Sequence, residues 1–337
     1  MDRPAIREHL EKIARTANRL SGRYTIMEVC GGHTSAIMRY GIRQILPENI
    51  NLISGPGCPV CVTAQKDIDN MIGIARNGIP IATYGDMLRV PGKSISLEQA
   101  KAQGAKVFEV YSAMQVLKLK RTYPDIVFFG IGFETTVPMT AYLLKNDVVV
   151  YSVHKRIVPA LKALAKDSRI DGFIDPGHVS TIIGAHAYQD IQVPQVIAGF
   201  SPERILRAFR ILLELFAKDR CMVVNAYPEA VDDCGNPKAL EEIEKNFNIV
   251  DSEWRGLGML ESSGLAVKEP KLDAKRIYAK IFRQVEYKED SRCRCGDVLK
   301  GLVSPKGCPL YQTECTPESP KGACMVSSEG SCAIHYE

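Results

Sequence analysis

Between residues 24 and 227 the chain alternates short apolar runs with segments of helical periodicity. The runs are "YTIMEV", "INLIS", "IPIATY", "AKVFEVY", "DIVFFGI", "DVVVYSV", "DGFID", "VPQVIAG" and "CMVVNAY". They are rich in Val and Ile, which predicts parallel strands buried on both faces. The helical stretches between them predict βαβ units and hence an α/β fold. Ahead of them, "MDRPAIREHLEKIARTANRL" has apolar residues at helical spacing among alternating charges, so it reads as an amphipathic helix. From about residue 228 the pattern changes. Helical segments such as "NPKALEEIEKNF" and "KLDAKRIYAKIF" precede an aperiodic tail rich in Gly, Pro, Ser and Cys.

The two halves of the alternating region repeat one another. "CGGHTSAIM" (30–38) aligns without a gap on "IGFETTVPM" (131–139), "GPGC" (55–58) resembles "DPGH" (175–178), and "IPIATYG" (79–85) resembles "VPQVIAG" (193–199), in the same order. This predicts two similar parallel-sheet α/β domains around a cleft, 1–125 and 126–227, followed by a helical segment and Cys-rich domain over 228–337. Cys30, Cys58, Asp86, Glu134, His154, His178 and Ser201 all fall where a strand should give way to a helix. That edge of a parallel sheet is where ligands bind.

Composition narrows the function. Apolar residues make up 45% and charged residues 24% of the 337, as in ordinary globular chains. No apolar run approaches the ~18 residues that span a bilayer, which predicts a cytoplasmic protein. The net charge is +4, from 43 basic and 39 acidic residues, with the basic ones scattered. Nucleic acid is therefore not an expected partner. Eleven cysteines are unusual for such a chain. In a reducing compartment they point to metal binding or thiol chemistry and away from a disulfide framework.

The cysteines fall into three groups. In the tail, Cys293, Cys295, Cys308, Cys315, Cys324 and Cys332 follow the spacing C-x-C-x12-C-x6-C-x8-C-x7-C. Six thiols exceed what one tetrahedral zinc needs, whereas four would hold a [4Fe–4S] cluster with two beside it. A structural zinc with two spare cysteines is the alternative. In "GPGCPVC", Cys61 opens a helical pattern and Cys58 lies at or just before its first turn, where unpaired amides favour a thiolate. One helical turn also brings their Cα atoms near the ~5.5 Å that a disulfide prefers. In "MEVCGGHTSAI", two glycines let the backbone turn after Cys30, and His33 is close enough to share a site or tune the thiol. A thiolate with a nitrogen neighbour suits a late first-row metal such as Fe(II); a phosphate-binding glycine turn is the plainer reading. Glu134 and Thr135 either cap the helix that follows or join the site. His178 stands where Cys58 stands in the other half. His154 is expected to be structural, and Cys221 and Cys234 are expected to be packed.

The motifs "MEVCGGHTSAI", "SGPGCPVCVT", "GIGFETTVPMTA", "DPGHVS" and "CRCGDVLKG…CPL…CTPESPKGACMVSSEGSCAIHY" resemble the HypD family of [NiFe]-hydrogenase maturation proteins, from about residue 5 onward. The resemblance implies two similar α/β domains flanking a cleft and a [4Fe–4S] cluster in the tail. It implies a complex with the small chaperone HypC, on which an iron ion acquires two cyanides and one carbon monoxide. HypE would deliver the cyanide, and the Fe(CN)2CO unit would pass to the hydrogenase large subunit. Carried onto this chain, Cys30 is the implied iron ligand and Cys58 and Cys61 the implied redox pair. The tail also resembles ferredoxin–thioredoxin reductase in keeping thiols next to a cluster. That analogy makes Cys293, Cys308, Cys315 and Cys332 the cluster ligands, with Cys295 and Cys324 as adjacent redox thiols. Two other readings stay open: a cluster-dependent thiol–disulfide reductase acting on a partner, and a zinc-stabilised interaction module.

Overall fold

The computed structural model describes residues 3–167, 169–283, 285 and 290–336. All nine apolar runs form strands: β1 (Tyr24–Glu28), β2 (Ile50–Ser54), β3 (Ile81–Tyr84), β4 (Val107–Val110), β5 (Val127–Gly130), β6 (Val149–Ser152), β7 (Gly172–Pro176), β8 (Gln195–Ala198) and β9 (Val223–Asn225). Every pairing among them is parallel. They make two sheets, of order β2-β1-β7-β8-β9 and β4-β3-β5-β6. Each residue of β5, β7 and β8 is buried, as continuous apolar runs require.

The division expected at 125/126 does not separate the two sheets. It falls between β4 and β5, which both pair with β3 in the four-stranded sheet. The five-stranded sheet instead combines residues 24–54 with residues 172–225. The chain leaves this sheet after β2, builds the other one, and returns at β7 beside β1. The repeated motifs are in the expected order, but order along a chain does not dictate which strands pair.

The amphipathic N-terminal segment forms the helix Arg3–Ala17, whose Ile13 and Ala17 pack into the core of Phe209, Leu212 and Leu213 on the helix Pro202–Ala217. No helix among the described residues is long and apolar enough to cross a membrane.

Beyond β9 the expected helix Pro237–Asn246 is present, but it runs into an antiparallel hairpin, β10 (Phe247–Trp254) and β11 (Gly258–Val267), that helical periodicity did not predict. "FNIVDSEW" and "GMLESSGLAV" keep much of their surface exposed, so few of their positions are buried. The hairpin is anchored at its turn. Trp254 is buried and its indole N–H donates to Ser263 Oγ at 2.9 Å. Buried Lys155, which follows β6, donates to Ser252 Oγ (2.6 Å) and to the Glu253 carbonyl (2.7 Å). Arg255 donates from its amide to the Val62 carbonyl (2.9 Å) and from Nε to that of Thr63 (3.0 Å), just past Cys61.

The tail contains only short helices, among them Cys295–Leu299, Ala323–Val326 and Ser331–Ile334. Its Val298, Leu299, Leu310 and Met325 join the core between the sheets, so it borrows burial that it could not build alone. Asp86, after β3, accepts from the Ser327 hydroxyl (2.8 Å) and the Ser328 amide (3.3 Å). Next along, Glu329 lies against Gly31, where an added Cβ would come within 2.3 Å of the Glu329 Cβ. Residues 327–329 thus tie loops of the two sheets together beside Cys30.

Candidate functional site: a run of thiols at the strand ends

Cys30 leaves β1 in an extended conformation (φ −156°, ψ 126°) and is the N-cap of the helix Gly31–Arg39. Its side chain is 2% exposed. Burial pushes the thiol up to about 12, while the amides of His33 and Gly32 work in the opposite direction. A neutral thiol is what burial alone favours; a bound cation reverses that preference. The imidazole beside the sulfur is that of His178, with Nδ1 at 3.8 Å from Sγ. Burial also lowers the His178 pKa, which keeps its ring neutral.

His33 does not play the expected part. One turn along the helix, its ring faces β8, and Nε2–H donates to the carbonyls of Ala198 and Gly199 at 3.2 Å each. Its ring packs on Phe200 at 4.8 Å, and burial lowers its pKa to about 4. Phe200 also meets His178, with centroids 5.3 Å apart and planes tilted by 35°, so both imidazoles contact one aromatic ring. His33 reaches Cys30 only through its backbone amide.

Cys58 and Cys61 are joined as a disulfide with Cα atoms 5.2 Å apart, and both are buried. The expected helix start at Cys61 is corrected: the helix begins at Gln65, and the pair occupies a separate turn closed by Val62 N–H to the Cys58 carbonyl (3.2 Å). The favourable amide survives the correction, since Cys61 N–H points at Cys58 Sγ at 3.1 Å. Gly57 seats this loop on Cys30. A Cβ there would fall 2.4 Å from the Cys30 nitrogen and 2.5 Å from its Cα, so only glycine allows the approach. On the other side, Cys61 Sγ lies 4.0 Å from the Ala323 carbonyl oxygen, one residue from Cys324.

Cys324 Sγ is 2.9 Å from Cys295 Sγ. Around this pair stand the other four tail cysteines. Cys293 is pushed up to about 12, chiefly by burial and then by Cys295, Cys308 and Cys315. Cys315 is raised by burial, with Cys332 and Cys308 adding to it. Backbone amides point at several of the sulfurs, among them Arg294 N–H at Cys308 (3.5 Å) and Lys321 N–H at Cys315 (3.3 Å). Among the described residues no three His, Cys, Asp or Glu side chains converge on a single ion position. Six crowded thiols with amides aimed at sulfur suit a multi-iron cluster, whose ligands spread around it, better than one zinc ion.

Glu134 is buried, and Oε1 accepts from the Ile157 amide at 3.1 Å. It therefore caps the helix Ile157–Leu164 and not the helix Val137–Lys145 that follows it. Thr135 is half-buried beside it. Asp175, at the end of β7, is wholly buried, and neither carboxyl oxygen has a hydrogen-bond partner among the described residues. Asp175, Glu134 and Cys30 all act on the Tyr188 phenol, whose pKa burial raises well above its ordinary value. His154 is structural as expected, bonded to Thr140 (3.2 Å) and Ser152 (3.0 Å). Cys221 and Cys234 are exposed and not packed. Cys221 lies two residues before β9, an edge strand, where one side is left open.

Burial raises the Glu134 carboxyl from 4.5 to about 7. The folded chain therefore holds this proton more tightly than the unfolded one. The stabilisation is complete below pH 4.5 and is lost as pH rises through 7, by on the order of 3 kcal/mol. Glu134→Gln keeps an oxygen for Ile157 N–H and has no proton to lose. Urea titrations from pH 5 to 8 should show a shallower fall in stability for the variant; identical slopes would refute the buried neutral acid.

A single cysteine after β1, a cysteine pair after β2 and six cysteines in the tail, linked through Gly57 and Ala323, define an α/β protein with most of its thiols gathered in one region. A model of the hydrogenase formation hypA family, HypD, matches residues 4–337. The chain is 43% identical to the hydrogenase maturation factor HypD of Escherichia coli (strain K12), over 98% of this chain and 93% of that one. It is 43% identical to that of Azotobacter vinelandii (93% and 89% covered) and 40% identical to that of Cupriavidus necator (93% and 89%). The chain belongs to the HypD family and is a hydrogenase maturation factor.

Proposed function

We propose that this protein is the scaffold on which the Fe(CN)2CO unit of [NiFe]-hydrogenase is assembled, with redox capability built into its thiols. The observation that carries this is the contiguity of the three thiol groups. The Cys58–Cys61 loop rests on Cys30 through Gly57, and Cys61 lies against the residue before Cys324. Iron is the cargo. Cys30 holds it as thiolate at the strand end beside His178, with a second thiolate from a HypC-type chaperone, and cyanide arrives from a HypE-type donor. All three work in the cytoplasm. Soft thiolates suit an iron that carries strong-field ligands.

Cys293, Cys308, Cys315 and Cys332 would hold a [4Fe–4S] cluster, which supplies single electrons when bound. The protein's own thiols do the rest. Joined as a disulfide, Cys58 and Cys61 can accept two electrons and two protons. Thiol–disulfide exchange with Cys324 and Cys295 returns them to thiols, oxidising that pair in turn. The sulfur contact of 2.9 Å between Cys295 and Cys324 also favours a second reading, a cluster-dependent disulfide reductase acting on a protein partner. That activity would not need Cys30.

The test is purification without oxygen, followed by assay of iron, acid-labile sulfide and zinc. Infrared spectra are then recorded with the chaperone bound. About four irons and four sulfides per chain, plus cyanide bands, support the scaffold. Stoichiometric zinc in a colourless protein overturns it, and turnover of a disulfide substrate without Cys30 selects the reductase.

A further inference from the structure

The strand that carries Cys30 also carries an acid that the reading above does not use. Glu28 ends β1 and is 1% exposed. Side chains alternate along a strand. Met27 and Val29 enter the core between the sheets, whereas Ile26 enters the core on the other face. Glu28 shares that other face with Ile26, where an apolar side chain would pack without loss.

Instead the carboxylate is bonded at both oxygens. Oε2 accepts the Cys30 amide at 3.2 Å, and Oε1 accepts the Thr34 hydroxyl at 2.5 Å. The same hydroxyl lies 3.2 Å from the Cys30 carbonyl, which also accepts the Thr34 amide at 3.0 Å. Both peptide groups of Cys30 are thus held in one ring of bonds. The Glu28 backbone carbonyl accepts the Gly55 amide at 2.8 Å, so the residue also aligns the loop that carries Cys58. A carboxyl group withdrawn from water is costly unless its bonds do something a hydrocarbon could not.

We propose that Glu28 is a positioning residue that fixes the direction in which Cys30 presents its sulfur to His178 and the Cys58–Cys61 loop. This deepens the scaffold reading and rests on it where iron is concerned. The bonding scheme distinguishes substitutions. Glu28→Gln keeps an oxygen for the Cys30 amide and turns its NH2 toward Thr34 Oγ, whose proton then serves the Cys30 carbonyl. Glu28→Ala loses both bonds.

The experiment uses the full chain, purified without oxygen, and reads iodoacetamide alkylation of each cysteine by peptide mass. Losing both buried bonds should raise the Cys30 rate about tenfold in Glu28→Ala. The rates at Cys308 and Cys315 should stay unchanged, and Glu28→Gln should stay within about twofold of the parent. Cyanide bands of the chaperone complex should broaden and shift in Glu28→Ala only. Parental alkylation at Cys30 in Glu28→Ala overturns the proposal. So does an equal rise at the tail cysteines, which would mean general loosening, or a Gln variant as reactive as the Ala variant. If Glu28→Ala does not fold, Thr34→Val decides: a faster Cys30 supports the ring of bonds and a parental rate refutes it. If the parent shows no cyanide bands, the iron reading fails while alkylation still decides the role of Glu28.

Discussion

Cys30→Ala should yield a folded protein that binds its chaperone partner but shows no cyanide or carbonyl bands in the infrared. The side chain is one buried sulfur among glycines, so its loss removes about 1 kcal/mol of packing. The β1 end is fixed independently by β2 and β7 on either side, which keeps the loop in place. His178 remains, but a neutral imidazole at this position cannot replace a thiolate in charge or in softness. Loading should fall at least a hundredfold, to the limit of detection, with iron and sulfide in the tail unchanged. Cyanide bands of parental intensity would exclude Cys30 as the ligand of the iron.

The second large effect is expected at the other end of the thiol run. Cys315 is 7% exposed and receives the Lys321 amide at 3.3 Å. Cys315→Ala should reduce iron and acid-labile sulfide from about four each to well under one. Because metal–thiolate bonding contributes folding free energy directly, stability should fall by about 3 kcal/mol or more. For a chain of this size that is a melting temperature lower by roughly 5 °C. Limited proteolysis should then cut between residues 290 and 336 first. A variant that keeps its full iron and sulfide would show that Cys315 is not a ligand and that Cys295 or Cys324 takes its place.

The nine strands were legible because a strand buried on both faces must be apolar throughout, and runs such as "DIVFFGI" and "VPQVIAG" have no other explanation. The thiol loops were legible for a related reason, since a cysteine directly after such a run is already at the ligand-binding edge. How the strands divide between two sheets was not legible. The β1–β7 pairing joins residues nearly 150 positions apart, Ile26 with Gly172 among them, and no local pattern encodes it. The hairpin escaped notice because Asn248, Asp251 and Glu253 are polar and Ile249 and Val250 are exposed, which hides a period of two. The choice between His33 and His178 turned on helix geometry. The residue three past the N-cap lies one turn up, against β8, whereas His178 faces Cys30 from the neighbouring strand. Glu28 stood in plain view inside "MEVCGGHTSAI", a charge at the end of an apolar strand, and that mismatch was the available signal.

The route of the chain between its sheets has a consequence for the order of synthesis. As residues emerge from a ribosome, all four strands of the β4-β3-β5-β6 sheet are present once residue 152 is out, and that sheet can form at that point. At that moment β1 and β2 have been waiting longer than any other strands, yet β1 still lacks its second neighbour. Cys30 therefore spends most of translation as an exposed thiol, and becomes a site only when β7 brings His178 and the tail brings Glu329. A chain interrupted between residues 152 and 172 has every strand of one sheet but neither β7 nor His178, so the surroundings of Cys30 are completed last.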